Sequence, residues 1–231
     1  MKRRGKLALK RKRKKIKIAC LAGIGLGILL VTIPLAGRLI TDIRNSQAVV
    51  EVSATYDRFK DNPLVGYLLQ EAEKYNAWLL DGRETSGLSY SEQLLLDGET
   101  AMGYISIPKI NVQMPIYHGT SDEVLAVGAG HLESSSLPIG GSGSHAVLTA
   151  HSGMRFIRAF DDIRKLKAGD TFTLTVLGKI LTYEVMSTET VLPDETGSLA
   201  IDPEKDLVTL VTCTPIGIND HRLLVHAERL N

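Results

Sequence analysis

Cysteine is almost missing from this 231-residue chain: there are two, and Cys20 lies in an uncharged apolar run while Cys213 stands alone in everything that follows it. A disulfide-stapled fold is excluded, and the lone thiol of the body is either a small buried hydrophobe or a group kept for its reactivity. Acidic residues are absent from the first 41 positions. The six histidines, His118, His131, His145, His151, His221 and His226, show no HExxH or paired-ligand spacing, so no metal site is expected. The glycine-rich "IGGSGS" lacks the Gly-Lys-Ser/Thr ending of a phosphate loop and reads as a flexible approach to the strand that follows. No cofactor is implied. No internal repeat is evident either, which leaves one ordinary domain with an appendage.

The appendage shows in the charge. Twelve of the 27 basic residues fall in the first 38 positions, so the body from Leu39 onward sets 15 basic residues against 26 acidic ones and carries about −11. Residues 1–17, "MKRRGKLALKRKRKKIK", are a basic tail, and residues 18–37, "IACLAGIGLGILLVTIPLAG", form an uncharged run of 20, the length of one bilayer span. A nucleic-acid arm is the rival reading of the tail, but a charge run abutting a spanning segment fits the positive-inside rule better, and no nucleic-acid partner is expected. A cleaved signal peptide fits less well, because the run exceeds an ordinary h-region and has no small-x-small exit before Arg38. The expectation is a transmembrane signal anchor at 18–37 in a single-pass protein of the cell membrane, with residues 1–17 cytoplasmic and the body outside.

Residues 38–100 read as a helical N-terminal segment with a connecting loop. Val49, Val52, Tyr56 and Phe59 fall at helical spacing, "DNP" breaks the pattern, and a second helix from Pro63 carries the stripe Leu64, Leu68, Ala72, Tyr75 and Leu79. Both stripes are packing faces. From Asp81 to Thr100, "DGRETSG" and "DGET" flank "YSEQLLL" and suggest a connection without firm order. From Ala101 to Asn231 the texture is mainly β: short runs such as "GYISI", "HAVLTA", "TFTLTVL" and "LVTLVTC" between turns predict a closed barrel or a sandwich. Two helical turns interrupt it, one capped by a Thr120/Glu123 box and one around "FIRAFDDIRKL".

Thiol acyl transfer needs a nucleophile, a proton donor for the leaving amine and a cation for the oxyanion, and the body holds all three. His151 closes "HAVLTA" just before Ser152-Gly153, Cys213 closes "LVTLVTC", and Arg222 opens the next run. A hairpin across "TPIGIND" would bring Cys213 and Arg222 to one end of a sheet. His131, His145 and His221 read as structural or surface groups, since one imidazole suffices for the proton transfer. Arg222 pairing with one of the many carboxylates is the structural alternative. Thr209 and Thr212 are β-formers, with a weaker expectation that Thr212 touches substrate.

The strings "TAHSG", "TLVTC" and "NDHRLLV", supported by "GYISIPKI", "PIYHGT", "GAGHLESSSLPIGG" and "LKAGD", resemble the sortases, most closely the class C, pilin-assembling kind. The resemblance runs from about Ala101 to Arg229. It implies an eight-stranded β-barrel with short helices, preceded by N-terminal helices and a transmembrane helix. It also implies a cysteine transpeptidase that cuts a Leu-Pro-x-Thr-Gly (LPxTG) sorting signal between Thr and Gly. Carried onto this chain, Cys213 would attack, Arg222 would steady the oxyanion and His151 would protonate the glycine amine. The partners implied are LPxTG-type surface or pilin proteins and an acceptor amine, either a pilin lysine or the cross-bridge of a peptidoglycan precursor.

Two features depart from the class C pattern. No Asp-Pro-aromatic lid motif lies between Gly82 and Gly103, so this stretch is not expected to cover Cys213, and Asn231 follows the last strand without a second membrane segment. A housekeeping-type sortase that anchors proteins to peptidoglycan remains the enzymatic alternative. A membrane-tethered domain that binds sorting signals without turnover is the alternative from another class.

Overall fold

The short β-rich runs close on themselves. In the structure, a computed structural model that describes residues 2–83, 85–96, 98–154 and 159–230, eight strands form a closed barrel. They are β1 (Ala101–Ile107), β2 (Val112–His118), β3 (Ala129–His131), β4 (Ser144–Thr149), β5 (Thr171–Val176), β6 (Lys179–Val191), β7 (Asp206–Thr214) and β8 (His221–Arg229), in the order β1-β2-β3-β4-β7-β8-β6-β5. The expected eight-stranded barrel is present, and closure leaves its strands no unpaired edge.

Strand periodicity decides which residues are available for chemistry. Ala146 and Leu148 of β4, Val208 and Leu210 of β7, and Val225 and Ala227 of β8 belong to the buried core. The alternate residues, among them Val147, Thr149, Val211, Cys213, Arg222 and Leu224, therefore lie on the outer face of the barrel.

Two long helices precede the barrel, α1 (Lys2–Phe59) and α2 (Pro63–Asp81). The apolar residues of α1 from Ile18 to Leu35 are exposed, and the helix is long and apolar enough to cross a membrane. Beyond that run it turns one face to the barrel: Thr41, Asn45, Val49 and Thr55 are buried, Tyr56 and Phe59 pack on the core, and Arg44 Nη2 donates to Ala126 O at 2.9 Å. The break at "DNP" is a helix start, because Asn62 Oδ1 accepts from Leu64 N at 2.9 Å and Pro63 needs no partner for a missing N–H. Gly82, at φ 74°, ends α2 in a left-handed cap and donates to Trp78 O. The predicted stripe is inward: Leu68, Ala72 and Tyr75 are buried, and Asn76 exchanges two bonds with the backbone of Leu137, 2.7 and 3.1 Å long.

Three expectations need correction. The connection after α2 is ordered: Gln93, Leu94 and Leu96 are buried. The buried Glu71 carboxylate holds its start, accepting from Ser86 Oγ at 2.8 Å, Gly87 N at 2.5 Å and Lys74 Nζ at 2.9 Å. Those bonds, led by Lys74, pull its pKa down to about 2. The segment looked loose because its anchor lies a helix away in sequence. Second, α3 (Asp122–Leu125) is capped by Ser121, whose Oγ accepts from Val124 N, rather than by Thr120. Third, the turn around "FIRAFDDIRKL" is helical only over Ile163–Lys165, in a short 3-10 turn, and 156–158 lie outside the described residues.

Candidate active site

Register places the three expected groups side by side. In the antiparallel β7–β8 ladder Cys213 is the direct partner of Arg222. In the parallel β4–β7 ladder Thr149 pairs with Val211, and the same register continued by two residues sets His151 beside Cys213. Three bonds hold the chain after β4 to that course: Ala150 N donates to Val211 O at 3.2 Å, Thr212 Oγ1 to Ala150 O at 2.8 Å, and Ser152 Oγ to Cys213 O at 2.5 Å. Cys213 thus has an imidazole-bearing residue on one side and a guanidinium-bearing residue on the other.

The surroundings of each group are set by backbone geometry. His151 O accepts from Phe160 N at 3.0 Å, and Gly153 N donates to Asp161 Oδ1 at 2.6 Å, so His151 and Gly153 are each tied to the 160–161 stretch. Gly153, at φ 74°, has Ile216 of the β7–β8 turn against it, and a Cβ there would stand 2.7 Å from Ile216 Cγ2. Only glycine fits that close approach. Arg222 Nη1 donates to the carbonyls of Asn219 and His221 at 3.2 and 3.1 Å, and among the described residues it forms no ion pair. The structural alternative of an arginine neutralised by a carboxylate is absent there.

His151, Cys213 and Arg222 line one hollow of about 450 Å³ on the outer face. Its floor is Val147, Thr149, Val211 and Leu224, and its walls are α3 and the β6–β7 loop, residues 192–205, through Leu192, Pro193 and Leu199. An apolar floor with a thiol, an imidazole and a guanidinium at one end suits an extended peptide delivered to an acyl-transfer centre. The reading missed these residues although the signal was present: Val147 and Thr149 lie two and four positions before His151, Val211 two before Cys213, and Leu224 two after Arg222.

The remaining candidates lie elsewhere. Thr212, expected weakly as a substrate contact, is buried and spends its hydroxyl on Ala150 O, one residue out of phase with Cys213. His131 is fully buried, with Nε2 2.8 Å from Ser136 O and Nδ1 3.0 Å from the hydroxyl of Tyr90, and burial lowers its pKa to about 4. It is structural, as read. His145 is buried as well, and His221 pairs with Asp220 at 2.9 Å. Among its described residues, the 82–100 span has none that lines the hollow around Cys213. Tyr90, its one aromatic, faces away: its hydroxyl donates to His131 O at 2.8 Å and accepts from Gly119 N at 2.9 Å.

Residues 105–230 match the model of the Sortase domain family. Among curated proteins, the chain is 32% identical over 133 residues to Sortase D of Bacillus subtilis, a match covering 56% of this chain and 64% of that protein. The chain thus spans somewhat less than two thirds of that relative. Among solved structures, it is 42% identical to sortase C1 of Streptococcus agalactiae, with a TM-score of 0.74 over 80% of this chain and 98% of that one. It is also 42% identical to Clostridium perfringens sortase C solved with the C-terminal cell wall sorting motif, with a TM-score of 0.69 over 79% and 99% of the two chains.

Proposed function

The chain belongs to the sortase family, and on that premise we propose that it is a membrane-anchored cysteine transpeptidase that cleaves an LPxTG-type sorting signal and passes the acyl group to a pilin lysine. The observation that carries the reading is the flanking of Cys213 by His151 and Arg222 at one end of an apolar hollow. The match to a sortase C solved with a sorting motif supports the substrate class, and the sortase C matches together favour a pilin acceptor.

The reaction follows from the three groups. The Cys213 thiolate adds to the threonine carbonyl carbon, and the negative charge moving onto the carbonyl oxygen is met by the Arg222 guanidinium, which forms no ion pair among the described residues. Collapse of the tetrahedral species breaks the Thr–Gly C–N bond, and the departing glycine nitrogen takes a proton from the His151 imidazolium. A thioester on Cys213 remains. An acceptor amine, giving a proton back to His151, attacks that thioester, forms the new amide and releases the thiolate.

The long apolar α1 agrees with a membrane anchor or a signal. Residues 1–17 serve as a cytoplasmic tail, 18–37 as the anchor, 38–100 as the helical spacer and 101–231 as the catalytic barrel, an orientation the basic tail supports. The test is to incubate the full chain in nanodiscs with an LPxTG peptide, first with hydroxylamine and then with purified pilin. Peptide hydroxamate in the first reaction marks an enzyme rather than a binder. A pilin-linked product in the second marks the pilin acceptor, whereas transfer to a cross-bridge amine alone would replace it with the wall-anchoring reaction.

A further inference from the structure

Below the β6–β7 loop, on the side away from Cys213, a second hollow is lined by His145, Glu189, Ser198, Lys205, Thr209 and His226, among others. A hydrogen-bonded chain crosses it. His145 Nδ1 stands 2.9 Å from Ala200 O, and His145 Nε2 is 2.7 Å from Thr209 Oγ1. Thr209 Oγ1 is 2.9 Å from His226 Nδ1, and His226 Nε2 is 3.0 Å from Glu189 Oε1. Glu189 also takes a hydrogen bond from Ser198. Ala200 and Ser198 belong to the loop whose other side, at Leu192, Pro193 and Leu199, walls the candidate substrate hollow. Further hydrogen bonds of residues 195–200 are local, from Glu195 N to Leu192 O, Leu192 N to Glu195 Oε2, Leu199 N to Thr196 O and Ala200 N to Gly197 O.

Counting hydrogens constrains the chain. Both of its ends, a carbonyl oxygen and a carboxylate oxygen, can only accept. Its four links therefore need four hydrogens, supplied by two imidazoles and one hydroxyl. Two neutral imidazoles and a hydroxyl supply three. The chain is complete only when one imidazole carries an extra proton: either His226 is charged and Thr209 donates to His145, or His145 is charged and Thr209 donates to His226. Burial and the neighbouring His226 both push the His145 pKa down, whereas the His226 ring is the one set against a carboxylate, with Nε2 3.0 Å from Glu189 Oε1. The bonds from Ser198 and His226 hold the Glu189 carboxyl below its usual range, which keeps it an acceptor. The titratable groups facing His226 are Glu189 on β6, His145 on β4, Lys205 at the foot of the loop and Glu228 on its own strand.

We propose that the run Ala200, His145, Thr209, His226 and Glu189 is a one-proton clasp that positions the wall of the substrate groove, closed while one imidazole is charged and opened when both are neutral. Of its members, His226, Thr209 and Glu189 act as positioning residues, since none lines the hollow around Cys213. The role assigned to the wall rests on the proposed peptide-binding reaction, but the clasp itself can be read without substrate.

The test is hydrogen exchange at the amides of residues 192–205 in the full chain in nanodiscs, corrected for the chemical rate and followed from about pH 5 to pH 8, the range over which imidazole changes charge. In the parent, protection should fall about tenfold or more as pH rises through that range, as loss of one charge-assisted link requires. Glu189→Gln replaces the terminal acceptor by a donor, so two neutral imidazoles complete the chain, and its protection should stay high with no pH step. Thr209→Val cuts the chain in the middle and should be unprotected throughout. A parent without a pH step overturns the clasp, and so does a step of the same size in Glu189→Gln. Because exchange needs no peptide, failure of the clasp and failure of the proposed transpeptidation are seen separately.

Discussion

Cys213 and Arg222 face each other as a direct pair in the β7–β8 ladder, at the end of the barrel where β4 delivers His151 to the opposite flank of the thiol. Nine residues apart in sequence, they are held at neighbouring-strand distance by a hairpin rather than by contact between their side chains. The reactive geometry is therefore a property of strand register, and side-chain substitutions here should alter chemistry with little effect on the fold.

Arg222→Lys keeps a positive charge and discards the planar fork that can donate to an oxyanion and a second carbonyl together. Peptide cleavage should fall on the order of 10²-fold or more in kcat, the usual scale for an oxyanion donor, with KM little changed. Steady-state kinetics with an LPxTG peptide check this. An unchanged acylation rate would return Arg222 to a structural role.

Tyr90 ties the 82–96 segment to His131 and Gly119, away from the thiol. Tyr90→Phe leaves the Gly119 N–H and the His131 carbonyl without their partner and should cost about 1–3 kcal/mol of stability. The rate at which a peptide-sized alkylating reagent labels Cys213 should nevertheless match the parent's, because the segment does not line the hollow. Marked acceleration of labelling in the folded variant would reveal a lid.

His131 makes the barrel sensitive to acid. Burial lowers its folded pKa to about 4, whereas an unfolded chain takes up the proton near the ordinary value of about 6.5. A depressed pKa gives stability that is complete above the unfolded value and is lost as pH falls through the folded one, here on the order of 3 kcal/mol between about pH 6.5 and pH 4. Denaturant unfolding of the full chain in micelles should show that loss, and His131→Gln should be less stable at pH 7 with a shallower slope. Equal slopes would assign the acid sensitivity to carboxylates.

Much of the architecture was legible from local pattern. The short strand runs called for a closed barrel or a sandwich, the break at "DNP" put a helix start near Pro63, and a hairpin across "TPIGIND" would bring Cys213 and Arg222 to one end of a sheet, whereas the convergence of His151 with them was not legible in the runs. What escaped depends on partners far away in sequence. Glu71 orders Ser86 and Gly87 from within a helix, and Asn76 is matched to the backbone of Leu137 across 61 residues. The cap at Ser121 instead of Thr120 is a choice between adjacent hydroxyls that the sequence leaves open. The inward setting of Thr212 was already contained in the alternation, since it lies out of phase with Cys213. The clasp of His145, Thr209 and His226 was the least visible, because its members come from β4, β7 and β8, and β4 and β7 are neighbours in the barrel without being consecutive in the chain.

The account stands on Cys213 forming a thioester, and intact-mass analysis of the full chain mixed with an LPxTG peptide, quenched in acid, reads that bond directly. The parent should gain the mass of the peptide acyl fragment ending in threonine, mapped to Cys213, and should lose it when hydroxylamine is added. Cys213→Ala should gain nothing while keeping parent-like unfolding, to within about 1 kcal/mol for so small a change at a strand end. An adduct on any other residue, or cleavage by Cys213→Ala at even a tenth of the parent rate, would contradict it.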